Sequence, residues 1–327
     1  MKVLVTGASG FLGQMIISEL LQENHDIYSL VSLNNKNSLK LPNVYQSDIA
    51  DYESLLKLEE IDNCDIIIHS AGLAHQFGKT SDEQFWDVNV KGTENIARLA
   101  VKLKTKHFIL ISSVSVYGDV EKKGEIDEMT VCNPQGIYAK SKFESENIAR
   151  QVCVSNQIGL TILRPATIIG ENDRGNTARL IEAINRKRFI WIGKGENRKS
   201  LVYKQDVAKA CLKVIEKRSP EVEVFNVTAE SVKMNFIVSE IEKSLQKKIP
   251  KFKISVSMLE KIFEINKKTI NVSKIEKLRS TVDKWISEDV FSGELIFKQY
   301  GFRAETGIAE ALRRQVEYYK EKQKTGR

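Results

Sequence analysis

The chain is poor in cysteine and has no long apolar run, and each shortage narrows its class. Its four cysteines, Cys64, Cys132, Cys153 and Cys211, lie far apart without metal-ligand spacing. That excludes a disulfide framework and a zinc module, and leaves the thiols as reduced packing residues; no metal is expected. No apolar stretch reaches the length of a membrane span, and the first residues enter a strand pattern instead of a signal peptide. The expectation is a cytoplasmic protein without membrane insertion. Internal repeats, low-complexity tracts and a basic–aromatic nucleic-acid module are missing too. The formal charge of +7 suits an anionic ligand, a nucleic acid or a membrane surface. Many of the lysines, however, fall in the last third among helical patterns and read as a solvated surface.

What is present begins with MKVLVTGASGFLG, Met1 to Gly13. Lys2-Val3-Leu4-Val5 is a short strand ended by Gly7, and Ile17, Leu20 and Leu21 follow at helical spacing. In a strand–turn–helix of this kind, glycines let the backbone approach a pyrophosphate whose charge rests on the helix N-terminus. Gly7, Gly10 and Gly13 are spaced G-x-x-G-x-x-G, which differs from the commoner G-x-G-x-x-G fingerprint.

Asp26 to Val31 reads as the second strand. A carboxylate roughly 20 residues beyond the glycines holds the ribose 2′-hydroxyl in NAD-selective units. Val31, Ser32 and Leu33 stand there instead. A 2′-phosphate would not be repelled, and Ser32, Lys36 or Lys40 are placed to reach one, so the pattern leans to NADPH, with NAD open. Val44 to Ile49 forms a third strand carrying Asp48, which has two readings: a partner for an adenine amino group, or the cap of a helix over Tyr52 to Leu58. Asp65 to His69 is a buried strand ending in Ser70-Ala71-Gly72, small residues against which a flat cofactor can lie, with His69 read as a packing residue. A helix is expected from Phe85 to Leu103, with Asn89 facing the sheet end, then a strand from Phe108 to Ser113 ending in two hydroxyls.

Tyr138-Ala139-Lys140-Ser141-Lys142 opens the next helix, and positions i and i+4 put Tyr138 and Lys142 on one face. A free phenol titrates near about 10, and an adjacent ammonium favours its ionised form. Such a tyrosine can exchange a proton with a substrate oxygen as hydride moves to or from a nicotinamide.

Together these residues resemble the extended short-chain dehydrogenase/reductases, in the branch of nucleotide-sugar epimerases, dehydratases and reductases. The motifs run TGASGFLG (Thr6 to Gly13), HSAG (His69 to Gly72), NVKGT (Asn89 to Thr93) and SSVSVYG (Ser112 to Gly118). They continue through YAKSK (Tyr138 to Lys142), LRPATIIG (Leu163 to Gly170) and SLVYKQDVA (Ser200 to Ala208). The implied fold is α/β, a Rossmann doubly wound parallel sheet with a smaller C-terminal α/β substrate domain. Residues 1–174 would bind NAD(P), with returns near 200–228, and 175–327 would mainly bind substrate.

The resemblance makes Tyr138 the acid/base, Lys142 its modulator and a ribose ligand, and Ser113 the partner of the reacting sugar oxygen. Gly7, Gly10, Phe11, Leu12 and Gly13 would line the pyrophosphate, Asp48 and Ile49 the adenine, and Ala71, Gly72 and Pro165 the rest of the cofactor. Asn176 matches an asparagine at the sugar-nucleotide pyrophosphate. An arginine usual before S-L-V-Y is replaced by Lys199, preceded by Arg198. Because only a guanidinium offers a planar fork to phosphate, Arg198 is the expected phosphate ligand and Arg279 a second. A homodimer through the helices at Asn89 and Tyr138 is implied by analogy.

Within this branch a 4-keto reductase takes hydride from NADPH, whereas a 4-epimerase withdraws and returns hydride on a tightly held NAD. The missing acid after Leu30 favours the reductase. A dehydratase is disfavoured because Val114 and Ser115 follow Ser113 where those relatives carry an acidic pair. HSAGLAHQ and Arg174-Gly175-Asn176 look most like reductases of UDP-4-keto-6-deoxy-N-acetylhexosamines, close to UDP-sugar 4-epimerases. From another class, a non-catalytic dinucleotide sensor would be expected to lose the tyrosine or lysine, and both are here.

Overall fold

The computed structural model describes residues 1–33, 41–74, 81–118, 124–250, 252–258, 282–283 and 285–325. β1 (Lys2–Thr6) is buried from Val3 onward, as an apolar β-branched run in the middle of a sheet should be. The glycine turn leads to α1 (Gly13–Gln22), whose Ile16, Ile17 and Leu20 fill the core. β2 (Asp26–Val31) and β3 (Val44–Gln46) follow, the latter three residues shorter than its apolar pattern suggests. α2 (Tyr52–Leu55) is capped by Asp51, which accepts from the Glu53 N–H, and passes into a 3-10 turn over Leu56–Ile61. β4 (Ile66–His69) is buried throughout.

The single helix expected from Phe85 to Leu103 is three pieces. α3 (Asp82–Phe85) starts on a Ser81/Gln84 capping box, a π-turn spans Trp86–Lys91, and α4 (Gly92–Lys102) completes it. β5 (His107–Ile111) stops before the two serines, which begin a 3-10 turn over Val114–Tyr117. α5 (Gly136–Ser155) and β6 (Gly159–Pro165) come next. Further on are β7 (Thr167–Ile169), α6 (Asn176–Asn185), β8 (Trp191–Ile192), β9 (Arg198–Lys199), β10 (Leu201–Tyr203), α7 (Lys204–Lys217) and β11 (Val222–Val227). β12 (Val232–Lys233), α8 (Met234–Leu245), β13 (Lys253–Ile254), α9 (Glu294–Tyr300) and α10 (Ile308–Thr325) are the last described elements.

Seven strands form one all-parallel sheet in the order β11-β6-β5-β4-β1-β2-β3. The chain winds outward from β1 in both directions, so the strand order reverses between β1 and β4. That is where open α/β sheets bind ligands, beyond the carboxyl ends of the strands. Two apolar clusters cover its two faces. One holds α1 and α7 residues such as Ile16 and Val214; the other holds Leu55, Ile96 and Cys153.

The chain divides into two units. The first comprises Met1–Ile168, Val202–Ala229 and Phe291–Glu305; the second Ile169–Leu201, Glu230–Val290 and Thr306–Arg327. The return at Phe291–Glu305 has no signature in the sequence. It is a packing event: Phe291, Ile296, Tyr300 and Phe302 join the sheet cluster, and the Tyr300 ring meets Phe225 edge-on at 5.3 Å. In the second unit β9 pairs antiparallel with β12 and β8 parallel with β13. Cys64, Cys153 and Cys211 are buried and Cys132 half-buried, all as free thiols.

Candidate active site

Gly7 adopts φ +66°, a left-handed conformation that L side chains rarely adopt, and a Cβ there would lie 2.8 Å from the Ala71 backbone. A Cβ on Gly13 would lie 2.1 Å from the Gly7 carbonyl oxygen. Only glycine allows this turn. Leu12, at the N-cap of α1, supplies no capping side chain, and the first turn holds no acid. The positive helix end is therefore left for an external anion, and the turn fits the pyrophosphate of a dinucleotide. Lys204 places its ammonium 5.5 Å from the Phe11 ring centre, adding charge of the same sign.

The ends of β1 and β4 are tied together beside the turn. The Thr6 hydroxyl bonds His69 Nδ1 at 2.7 Å and accepts from the Ala71 N–H at 3.2 Å. Thr93 gives its own proton to the Asn89 carbonyl, so His69 Nε2 must donate to Thr93 Oγ1, 3.0 Å away. A neutral imidazole satisfies every partner. Burial, reinforced by the Lys142 charge, pushes its pKa down to about 3. His69 is a packing residue, as its strand-end position suggests.

Ser32 is exposed at the end of β2, and Asp48 is exposed beyond β3. The Asp48 carboxylate accepts only from the nearby Ala50 N–H among the bonds seen here, and Asp51 does the helix capping. Of its two readings, the cap is thus taken by another residue. The Ile49 carbonyl accepts from Asn95, and the Ile49 side chain packs where a Cβ on Gly92 would fall.

At the end of β5 the Ser113 side chain hydrogen-bonds Tyr138 from the first turn of α5 and accepts from the Ser115 N–H at 3.2 Å. Lys142, one turn on, is buried and donates to the Ile111 carbonyl at 2.9 Å. The structure thus brings Ser113, Tyr138 and Lys142 together at one strand end. It differs from expectation in one respect: the Tyr138 phenol is raised above its ordinary value by burial, with only the Ser113 bond opposing. The Lys142 ammonium donates to the Ile111 carbonyl at the strand end. Burial lowers Lys142 itself to about 8, partly offset by Glu146.

Asn89, buried in the π-turn, clamps this region. Its side chain bonds both the N–H and carbonyl of Leu73 and donates to Ser141 Oγ at 2.9 Å, while its carbonyl accepts from Thr93 and Ser145. A Cβ on Gly72 would come within 3.2 Å of Lys142 Nζ and 3.1 Å of Asn89 Oδ1, so the lysine, the amide and the backbone after β4 share one small space. Pro165 ends β6, buried.

In the second unit, Asn176 is the first residue of α6 and is exposed. The preceding turn is held by Asp173, which accepts from Gly175, Ala178 and Gln315. Arg198, exposed, hydrogen-bonds Ser231, whereas Lys199 is paired with Asp289 at 2.6 Å and Ser287 at 2.9 Å. Lys199 is thus engaged within its own unit and Arg198 is the more accessible cation. Arg279, Lys36 and Lys40 lie outside the described residues. No cluster of metal-ligating side chains occurs among the described residues, and no described helix is long and apolar enough to cross a membrane.

What sequence reasoning missed is a buried ion pair, Glu146 with Arg164. Its only trace in the sequence is an acid four residues past Lys142, hence on the same helical face, and an arginine inside an otherwise apolar strand.

The strand order and the glycine turn at its reversal define a Rossmann-type dinucleotide-binding fold. The profile of the NAD dependent epimerase/dehydratase family matches residues 3–228, and the chain belongs to that family. Its cofactor class is accordingly a nicotinamide dinucleotide. The N-acetyl-alpha-D-glucosaminyl-diphospho-ditrans,octacis-undecaprenol 4-epimerase of Escherichia coli O157:H7 is 31% identical over 253 residues, 76% of this chain and 74% of that protein. In three dimensions the chain is similar to UDP-glucose 4-epimerase from Thermotoga maritima, with a TM-score of 0.78 at 18% identity, covering 99% of this chain and 100% of that one. It is also similar to UDP-glucuronic acid 4-epimerase from Bacillus cereus in complex with NAD, with a TM-score of 0.77 at 21% identity, covering 98% and 99%. These two likenesses concern the fold.

Proposed function

We propose that the chain catalyses hydride transfer at C4 of a diphosphate-activated N-acetylhexosamine, in the direction that reduces a UDP-4-keto-6-deoxy sugar with NADPH. The observation that carries this reading is the Ser113–Tyr138 hydrogen bond beside the buried Lys142 ammonium. A bound nicotinamide supplies the hydride. Ser113 orients the 4-keto oxygen, and Tyr138 gives that oxygen its proton as it becomes a hydroxyl. A phenol raised by burial is protonated at neutral pH, which suits a donor. Lys142 holds the nicotinamide ribose and stabilises the phenolate left behind.

Gly7, Gly10, Phe11, Leu12 and Gly13 are assigned to the pyrophosphate, Asp48 and Ile49 to the adenine, and Ala71, Gly72 and Pro165 to the remainder. The exposed Ser32 hydroxyl, in place of a carboxylate, is what supports NADPH over NAD. Asn176 and Arg198 are assigned to the substrate diphosphate. A second copy is assigned to the outer faces of α4 and α5, where Val101 and Val154 are exposed.

A second reading is favoured by the Escherichia coli relative, which is a 4-epimerase of a diphospho-undecaprenol sugar. There Tyr138 would accept a proton in the first half-reaction and return it in the second. Purified protein incubated with a UDP-4-keto-6-deoxy-N-acetylhexosamine and NADPH should consume NADPH absorbance, and with UDP-GlcNAc or its diphospho-undecaprenol counterpart it should leave the sugar unchanged. C4 inversion of either without added reductant would replace the reductase by the epimerase. A Tyr138→Phe variant that keeps its cellular function would point to a sensor.

A further inference from the structure

Ser112, Glu146 and Arg164 form a buried polar cluster that the proposed chemistry leaves without a task. Ser112 Oγ donates to Glu146 Oε1 at 2.5 Å, and Arg164 grips both oxygens of the same carboxylate, through Nε at 3.0 Å and through the terminal nitrogen at 2.6 Å. Glu146 is 0 % exposed and Arg164 5 %. The guanidinium also lies over the Tyr117 ring, 4.9 Å from its centre, and that tyrosine bonds Asn226 at 2.8 Å.

The placement is specific. Ser112 is the residue before Ser113, and Glu146 is one helical turn beyond Lys142 on the same face. Lys142 bonds the Ile111 carbonyl while Glu146 bonds the Ser112 hydroxyl, so two successive turns of α5 are fastened to two successive residues at the end of β5. Arg164 anchors the second fastening to β6, which is itself joined there by the Ser112 N–H to the Leu163 carbonyl at 2.7 Å. Apolar contacts from Ala149 and Cys153 already hold the far end of α5 to the sheet. A buried ion pair adds little net stability over an apolar pair of the same size, so its use here is better sought in positioning.

We propose that Ser112, Glu146 and Arg164 are positioning residues that fix the register of α5 on the end of β5, and with it the spacing of Ser113, Tyr138 and Lys142. The proposal rests on the reading of those three as the reacting site. The cluster also sets the field at the ammonium. The Glu146 carboxylate favours the charged lysine, and Arg164 holds that carboxylate through two nitrogens. The other groups facing Lys142 are Tyr138 on its own helix, His69 on β4, which is kept neutral, and the uncharged Asn89 of the π-turn. Facing Glu146 and Arg164 are the half-buried Cys132 thiol, Tyr117 and Glu128, all three raised chiefly by burial.

The test uses the full chain with dinucleotide bound, as Glu146→Gln, Arg164→Met, the double variant and Ser112→Ala. Two quantities are read: the pH profile of C4 oxidoreduction, and the pH dependence of Lys142 acylation followed by peptide mass spectrometry. Removing the carboxylate should move the lysine midpoint down by about one pH unit, and removing the guanidinium, which leaves the carboxylate without its grip on β6, should lower turnover about tenfold. The double variant, which removes both charges together, should show the lysine midpoint of Glu146→Gln and keeps the test open should a single variant not fold. Ser112→Ala should lower turnover about tenfold with dinucleotide affinity unchanged. A Glu146→Gln lysine midpoint that stays at the wild-type value, or Ser112→Ala at wild-type turnover, would overturn the proposal. A fully active Tyr138→Phe, measured alongside, would instead show that the reading of the site itself had failed.

Discussion

The two units hold their candidate residues in opposite ways. In the first, Ser113, Tyr138 and Lys142 sit among buried hydrogen bonds that also involve Asn89, Ser112, Glu146 and Arg164. In the second, Asn176 and Arg198 are exposed, at a helix start and on a two-residue strand. The contrast fits what the proposed function would ask of each. Proton transfer fails when the donor strays by an ångström, which suits side chains held in place. A diphosphate is a diffuse charge that exposed side chains can meet in more than one way.

The comparison can be broken most sharply at the phenol. Tyr138→Phe should cut C4 oxidoreduction by about a thousandfold while dinucleotide titration stays at wild-type affinity. A loss below tenfold would mean that the locked cluster is not the reacting one. Next in size, Gly13→Ala should lower stability by about 3 kcal/mol and abolish dinucleotide binding, since the added carbon meets the Gly7 carbonyl oxygen. Urea unfolding and fluorescence titration would read both, and a variant of wild-type stability would show that the turn can relax.

The third prediction concerns acid. His69 and His107 are buried in the first unit with values pushed down to about 3 and about 4, in both cases chiefly by burial. Each is neutral when folded, and the unfolded chain takes up its proton near pH 6.5. Their contribution is therefore complete above that pH and is lost as pH falls toward 4. Each histidine should give a slope of about 1.4 kcal/mol per pH unit in that window. His107→Gln should flatten the stability profile between pH 6.5 and 4; an unchanged slope would show that this histidine is not responsible.

The smallest effect is expected in the second unit. Lys199→Met removes the pairing with Asp289 and should cost about 1 kcal/mol or less, since the carboxylate is one-third exposed. It should leave turnover within twofold. A large loss of substrate affinity would move the phosphate ligand from Arg198 to Lys199.

Much of the first unit was legible because parallel strands announce themselves as apolar runs. Ile66-Ile67-Ile68 and Phe108-Ile109-Leu110 can hardly be anything else, and both are buried strands. Their ends were less clear: the strand pattern ran through Ser113, yet the strand ends at Ile111, the Ser112 N–H makes the last bond to β6, and a 3-10 turn begins at Val114. The π-turn at Trp86–Lys91 was hidden, since a helix with one wide turn keeps nearly the same periodicity. The return of Phe291–Glu305 to the first unit was hidden as well, because nothing local distinguishes Ile296 or Tyr300 from residues of any other amphipathic helix.

Residue identity alone determined the glycine turn, the run of buried strands and the tyrosine–lysine pair, because each depends on spacing along the chain: which positions lack a Cβ, which alternate, which share a helical face. Tertiary structure alone decided that the lysine bonds a strand-end carbonyl, that Asp51 caps where Asp48 was a candidate, and that Glu146 meets Arg164 and Ser112. Those choices depend on which distant groups are buried together. Burial is a property of the packed chain, and it determines both the energetic cost of an unpaired charge and the partner available to it.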